Sequence, residues 1–239
     1  MSQGLKGKRI LVTSGGTQEY IDDVRVLTNV SSGKLGALIA EKLSSSGAEV
    51  HYLHGKNAVR PFNYLGDMAY KVTTAQDAYN KMQELVPTMD AVVHCMAVSD
   101  FTFKRDEALK CKSSDPQAFI DFMGRTITPN PKIISKIKEW NPKTILIGFK
   151  FEVGITNEEL ILLARKSIQK NGCDLVIAND KEEMIRAKEH VAYMVFAKES
   201  TGPFKMNGKD VIAQQINCFL RNEFTDPTSP DHYTINRAY

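Results

Sequence analysis

The stretch V-T-S-G-G-T-Q-E-Y-I-D-D-V-R-V-L-T-N-V-S-S-G-K-L-G, from Val12 to Gly36, decides how the chain is read. The apolar run Arg9–Thr13 predicts a short buried strand that ends at Ser14-Gly15-Gly16. A polar loop follows, and Ser31-Ser32-Gly33-Lys34 then opens an apolar-periodic helix. The first N–H groups of a helix lack intrahelical partners and carry the positive end of its dipole, so this order of parts builds an anion site. A Gly-Gly turn followed by an ordinary helix cap would give the same pattern.

Leu35, Leu38, Ile39 and Leu43 recur at helical spacing, which predicts a helix from about Ser32 to Ser46 that Gly47 ends. Glu49–Leu53, Ala69–Thr73 and Asp90–Cys95 read as further strands. Thr74 with Asp77 forms a capping pair for a helix reaching Val86. From Met96 to about Asn130 the periodicity fails, and a segment this long without structure inside a compact domain is usually functional or mobile. Regularity returns with a helix from Pro131 to Trp140, a strand Thr144–Gly148, and a helix capped by Thr156 and Glu159 that stops at Asn171-Gly172. Asp174–Ala178 and Val191–Val195 are late strands, and Val211–Leu220 is a last helix before a polar tail from Asn222. This alternation predicts one α/β domain over residues 1–239, Rossmann-like in three layers, with a mostly parallel sheet and helices on both faces. Residues 96–130 stand as an excursion serving as flap or dimerisation segment, and 222–239 as a tail.

Composition narrows the function classes. A 42% apolar share over 239 residues is enough for a core without disulfide staples. The net charge of +3, with no basic block, argues against nucleic acid as partner. Cys95, Cys111, Cys173 and Cys218 are far apart, as reduced thiols of a cytoplasmic protein would be. No apolar run reaches the roughly 20 residues of a membrane span, and no signal peptide precedes the first strand.

Two familiar nucleotide motifs are missing. Gly15-Gly16 and Gly33/Gly36 are separated by the whole loop, so there is no G-x-G-x-x-G, and Lys34 is followed by Leu35 rather than Ser or Thr, so there is no Walker A. The second strand runs into His54-Gly55-Lys56 without the carboxylate that would hold a ribose, which argues against NAD. His51 and His54 fall on opposite faces of a strand, and His94 reads as a hydrogen-bonded core imidazole, so no metal ligands are assigned. Lys166 and Lys170, four apart on a helix, are a solvated face or a reach toward polyphosphate; Lys110 and Lys112 are surface charge or a cationic flap.

Taken together, Thr13-S-G-G-T17, Val24-Arg25 and Asn29-V-S-S-G-K-L-G36 resemble the signature of the phosphopantothenoylcysteine synthetases, the phosphopantothenate–cysteine ligases of coenzyme A biosynthesis. Ala97-Val-Ser-Asp-Phe101, Asn130-Pro-Lys-Ile133, Gly148-Phe-Lys-Phe-Glu152 and Ala178-Asn-Asp180 resemble that family's later motifs in the same order, so the similarity runs from about residue 6 to 220.

The resemblance implies a ligase that joins 4′-phosphopantothenate to L-cysteine. CTP would activate the carboxylate as an acyl-cytidylate with Mg²⁺ assisting, and a homodimer would share the active site. By position, Asn29 binds the acyl intermediate and Lys110 sits on the flap. Gly15, Ser31, Gly33, Gly36, Phe149 and Asn179 line the phosphates. Met96, Ala97 and Asp100 contact nucleotide or phosphopantothenate, and Asn130, Pro131, Lys132, Ile133, Lys166 and Lys170 approach the nucleotide.

Three departures stand out: Met96 replaces an alanine, Lys110-Cys-Lys112 is a short basic run, and Lys150 resembles eukaryotic members. An ATP-preferring version is therefore the alternative, with a Rossmann-type NAD(P)-dependent oxidoreductase or a catalytically dead nucleotide-binding regulator as rivals from other classes. No flavoprotein half accompanies these motifs, so the expectation is ligation without FMN.

Overall fold

The computed structural model describes residues 4–62, 66–104, 115–198 and 201–225. The chain opens with β1 (Arg9–Ser14), the short strands β2 (Gln18–Tyr20) and β3 (Val26–Thr28), and helix α1 (Lys34–Ser45). Next come β4 (Glu49–Gly55), β5 (Ala69–Val72), α2 (Ala75–Leu85) and β6 (Ala91–His94). A side excursion holds β7 (Phe101–Phe103), α3 (Pro116–Thr126) and β8 (Ile127–Pro129). The second half runs α4 (Ile133–Trp140), β9 (Ile145–Glu152), α5 (Asn157–Asn171), β10 (Leu175–Asp180) and α6 (Lys181–Ala187). It closes with β11 (Val191–Phe196), β12 (Phe204–Asn207) and α7 (Lys209–Thr225).

Eight strands form one sheet in the order β12-β11-β10-β9-β6-β1-β4-β5. The six strands β10, β9, β6, β1, β4 and β5 pair in parallel, while β11 and β12 are antiparallel additions at one edge. Strand period two sends Ile10 and Val12 to one face and Leu11 to the other. On the first face Leu35, Ile39 and Leu43 of α1 pack with Ile212, Ile216 and Leu220 of α7. The second face is covered by Met82 of α2, Ile133 and Ile137 of α4, and Leu160, Ala164 and Ile168 of α5. This is the three-layer, mostly parallel arrangement expected from the sequence.

Local chemistry sets the helix boundaries. Thr74 and Asp77 form a complete capping box at α2, and Thr156 and Glu159 form another at α5, while Gly172 closes α5 at φ 66°. Several boundaries differ from the sequence reading. The polar loop after β1 contains the β2–β3 hairpin, whose three-residue strands are too short to show periodicity. The stretch read as irregular between Met96 and Asn130 holds the antiparallel pair β7–β8 and, between them in sequence, α3, which starts on the Asp115 cap and Pro116. Helix α4 starts at Ile133 rather than Pro131, α7 extends beyond both ends of the expected helix, and α6 and β12 were not expected. Most of the tail lies outside the described residues.

β1 has β4 on one side and β6 on the other, so the winding of the sheet reverses between β1 and β6. Ligands of such sheets bind in the crevice at the carboxyl ends of the strands flanking that switch point.

Candidate active site

At the switch point the loops after β1 and β6 are tied together. The Ala97 N–H donates to the Gly15 carbonyl at 2.8 Å, and the Thr17 N–H donates to the Ala97 carbonyl at 3.2 Å. The Thr17 hydroxyl accepts from the Ser99 N–H at 2.9 Å, and Thr28 donates to the Thr17 carbonyl at 2.8 Å. These bonds fix the hairpin base, so that Asn29 emerges beside the Ala97–Ser99 loop. Its side-chain amide donates to the Val98 carbonyl at 3.3 Å while the residue remains exposed.

The start of α1 is drawn close to the strand. Gly33 sits at φ 73° with no side chain capping the helix, and no acidic residue occupies the first turn. Ser14 Oγ donates to the Gly33 carbonyl at 3.0 Å, and a β-carbon on Gly33 would come 2.9 Å from that of Ala58. Gly15, at φ 78°, is pressed against Ala58 in the same way. Both glycines therefore let backbone approach backbone. The Lys34 N–H donates weakly to Ser32 Oγ at 3.4 Å, and the next two N–H groups, of Leu35 and Gly36, stay uncovered among the described residues.

A cleft of about 630 Å³ opens over this helix start. Asn29, Ser31, Gly33, Gly36, Ala97, Phe149 and Asn179 all line it, so seven sequence-predicted residues from four separate motifs are brought to one surface. Lys34, Lys181, Lys209 and His190 complete the wall, and no carboxylate lines it among the described residues. Burial and the neighbouring Lys209 cation hold His190 below the usual imidazole range, so it stays neutral. Cys95 also faces the cleft, but burial pushes its thiol up to about 12, which makes it a wall rather than a nucleophile.

A smaller cavity of about 170 Å³ lies on the other face of the sheet, and Phe149 lines both it and the large cleft. It gathers Met96, Asp100, Pro131, Lys132 and Ile133 around the end of β6, with His94 facing it. Lys132 and Asp100 form an ion pair across the opening, and the Asn130 amide holds the Ser99 carbonyl at 3.1 Å.

Other expected site residues fall elsewhere. Gly15 lines neither cavity and acts through the turn it permits. Lys166 and Lys170 are exposed on α5 and line neither cavity; Lys170 lies near the end where Gly172 packs on Lys138, which bonds the Thr144 carbonyl at the start of β9. Lys110 and Lys112 lie outside the described residues. The residues that sequence reasoning missed are Lys181, His190 and Lys209. Lys181 and Lys209 open helices and His190 precedes β11, positions outside any motif, with only the adjacent Ala178-Asn-Asp180 as a signal for Lys181.

Among the described residues no group of three His, Cys, Asp or Glu side chains is placed to hold a metal, and no helix is long and apolar enough to cross a membrane.

Residues 5–222 match the family model of the DNA/pantothenate metabolism flavoprotein C-terminal domain. The coenzyme A biosynthesis bifunctional protein CoaBC of Thermococcus kodakarensis is 41% identical over 179 residues, which are 74% of this chain and 42% of that protein. The counterpart in Methanocaldococcus jannaschii is 30% identical over 86% of this chain and 49% of its own length. The chain thus spans half or less of the length of these curated relatives. A crystal structure of the DNA/pantothenate metabolism flavoprotein from Streptococcus pneumoniae superposes with a TM-score of 0.76 at 36% identity, covering 88% of this chain and 96% of that one. With the motifs, the sheet order and the cleft in agreement, the chain belongs to the family of the DNA/pantothenate metabolism flavoprotein C-terminal domain.

Proposed function

We propose that this chain is a phosphopantothenate–cysteine ligase of coenzyme A biosynthesis that uses CTP. The observation that carries the reading is the convergence, in one cleft, of the Asn29 amide, the uncapped start of α1 and the cations Lys34, Lys181 and Lys209. Such a site suits a reaction in which negative charge is bound as polyphosphate and then develops on an acyl oxygen.

In the first step a carboxylate oxygen of 4′-phosphopantothenate attacks the α-phosphorus of CTP. The bond to the bridging oxygen breaks, and pyrophosphate leaves with its electron pair. Fixed donors at α1 and the three cations hold the phosphates in line, which lowers the barrier mainly by positioning and by charge stabilisation. In the second step the amine of L-cysteine attacks the acyl carbon, CMP departs, and the amide remains. Asn29 is placed for this step: Val98 holds one edge of its amide, leaving an N–H to meet the acyl oxygen.

The described lining of the large cleft offers no carboxylate for a resident divalent ion, and Asp100 of the small cavity is paired with Lys132. Mg²⁺ is therefore assigned to the phosphates of the nucleotide and belongs to the substrate. The proposed homodimer rests on the hairpin arm, where Val24, Val26, Leu27 and Val30 are exposed beside the site. Phe119 of α3 braces that arm, lying 4.8 Å from the Arg25 guanidinium.

The test is pyrophosphate release from phosphopantothenate with CTP or ATP, followed by cysteine-dependent formation of amide. Release with CTP is the expected result. Faster release with ATP would move the nucleotide assignment, and no release with either would remove the ligase reading.

A further inference from the structure

Both ring nitrogens of His94 can be accounted for. The residue is 7% exposed and lies at the end of β6, with Nδ1 2.9 Å from the Thr13 hydroxyl. That hydroxyl is itself buried and already accepts the Met96 N–H at 3.1 Å. Its own proton must go to an acceptor, and His94 Nδ1 is the acceptor within reach among the described residues. A neutral imidazole accepting at Nδ1 carries its proton on Nε2. Burial holds the ring neutral, pushing its pKa down to about 4. Nε2 has no protein partner among the described residues, and the residue faces the cavity of about 170 Å³.

The result is a fixed neutral donor at the wall of a small pocket with apolar sides from Met96, Pro131 and Ile133. At about 170 Å³ the pocket is below the roughly 300–1,000 Å³ that takes a whole small molecule, and it suits a single ring. Phe149 lines both this pocket and the cationic cleft, so a ring bound here would carry its phosphates past Phe149 toward α1.

We propose that His94 is a specificity-determining residue: its Nε2–H donates to the acceptor edge, O2 or N3, of a pyrimidine seated between Met96 and Ile133. The inference rests on the ligase reading above and assigns the nucleotide choice of that site to one side chain.

The test is steady-state kinetics of the full chain with CTP and ATP for the wild type, His94→Ala and His94→Gln. His94→Ala should raise the KM for CTP about 3- to 10-fold, the range for one neutral hydrogen bond, and leave the KM for phosphopantothenate and cysteine within twofold. The preference for CTP over ATP should fall by at least threefold, because the lost ring also enlarges the pocket. His94→Gln, whose amide can reach the same point, should recover most of the CTP affinity.

Substrate analogues test the same bond without a variant. Of 2-thio-CTP and 3-deaza-CTP, one should lose about 3- to 10-fold in the wild type and lose nothing further in His94→Ala. An unchanged CTP KM in a folded His94→Ala protein, or equal rises in all three KM values, would overturn the assignment to His94. Failure of both analogues to weaken wild-type turnover would do the same. Absence of nucleotide-dependent pyrophosphate release in the wild type is a different result: it would remove the ligase reading, and this inference with it.

Discussion

Ser14 Oγ lies 2.3 Å from where a β-carbon on Gly36 would stand, and the Ser14 Cβ lies only 2.6 Å from it. Strand β1 and helix α1 are thus in contact across a gap that admits hydrogen and nothing larger. Gly36→Ala must push the helix start away from the sheet, at about 1–3 kcal/mol, the usual cost of overpacking. The variant should melt earlier and bind nucleotide weakly. Ser14→Gly in the same chain should return much of both, as read by thermal melts with and without CTP; no recovery would place the damage elsewhere.

The Asn29 side chain makes a single long hydrogen bond among the described residues and sits on an exposed loop, so its removal should cost little stability. Asn29→Ala should slow amide formation by roughly 10²–10³-fold, the typical loss for a donor to a developing oxyanion. The acyl-nucleotide should then accumulate and be recoverable by rapid quench. Wild-type rates in this variant would exclude the residue from the second step.

Lys181 and Lys209 line the cleft from the first positions of two different helices. Replacing either with Gln should raise the KM for the nucleotide about tenfold, the low end for a charge-assisted bond at a partly open site. The wild-type KM should also rise with salt, and less steeply in the double variant. Identical salt dependence in wild type and double variant would show that these cations do not meet the phosphates.

The Val24 and Val26 side chains of the hairpin arm are 65% and 40% exposed. Carboxylates at both positions, Val24→Asp with Val26→Asp, should give single protomers by light scattering, with secondary structure intact and ligase turnover lost. A wild-type protein that already runs as a single protomer would remove the shared site.

Acid stability gives a reading of His94 that is independent of turnover. Its folded pKa is pushed down by burial to about 4 from an ordinary 6.5. Between those values the unfolded chain binds a proton that the folded chain does not, so stability rises with pH across this window. As pH falls from 6.5 to 4 the group withdraws up to about 3 kcal/mol. His94→Gln should show a flatter urea midpoint over the same range, since His54 and His190, also lowered chiefly by burial, remain in both proteins. Parallel slopes would mean that the ring is solvated in the fold.

Much of this architecture was legible because the signals are local and repeated. Val12 and Leu11 alternate, Leu35 and Ile39 recur by helical turn, and Thr74 and Thr156 have acceptors three residues on. The β2–β3 hairpin was not legible, since three-residue strands such as Val26–Thr28 leave no periodicity and are held by Asp22 and Glu19 through backbone N–H groups. Helix α3 was hidden because Ile120 and neighbouring polar side chains face solvent, leaving only Phe122 and Thr126 buried. At the site, residues carried by contiguous motifs, such as Ser31 and Asn179, meet in the cleft, while Lys166 and Lys170, carried over on family pattern alone, stay on the outside of α5. Lys181, His190 and Lys209 converge only because two antiparallel strands bring the end of the chain back to the cleft, a tertiary fact without a local signature.

The two cavities lie on opposite faces of the sheet and share Phe149 in their walls. A molecule that fills both straddles the edge like a clip, gripped at either end, and its two grips reinforce each other as tethered binding sites do. Free base and free polyphosphate each engage one grip and compete poorly with the intact nucleotide. On the ligase reading, the first step frees pyrophosphate with only the phosphate grip, while the acyl-cytidylate keeps the base pocket and the acyl site until CMP departs. On that reading, pyrophosphate loses the tether that held it as soon as it forms, with no moving part required.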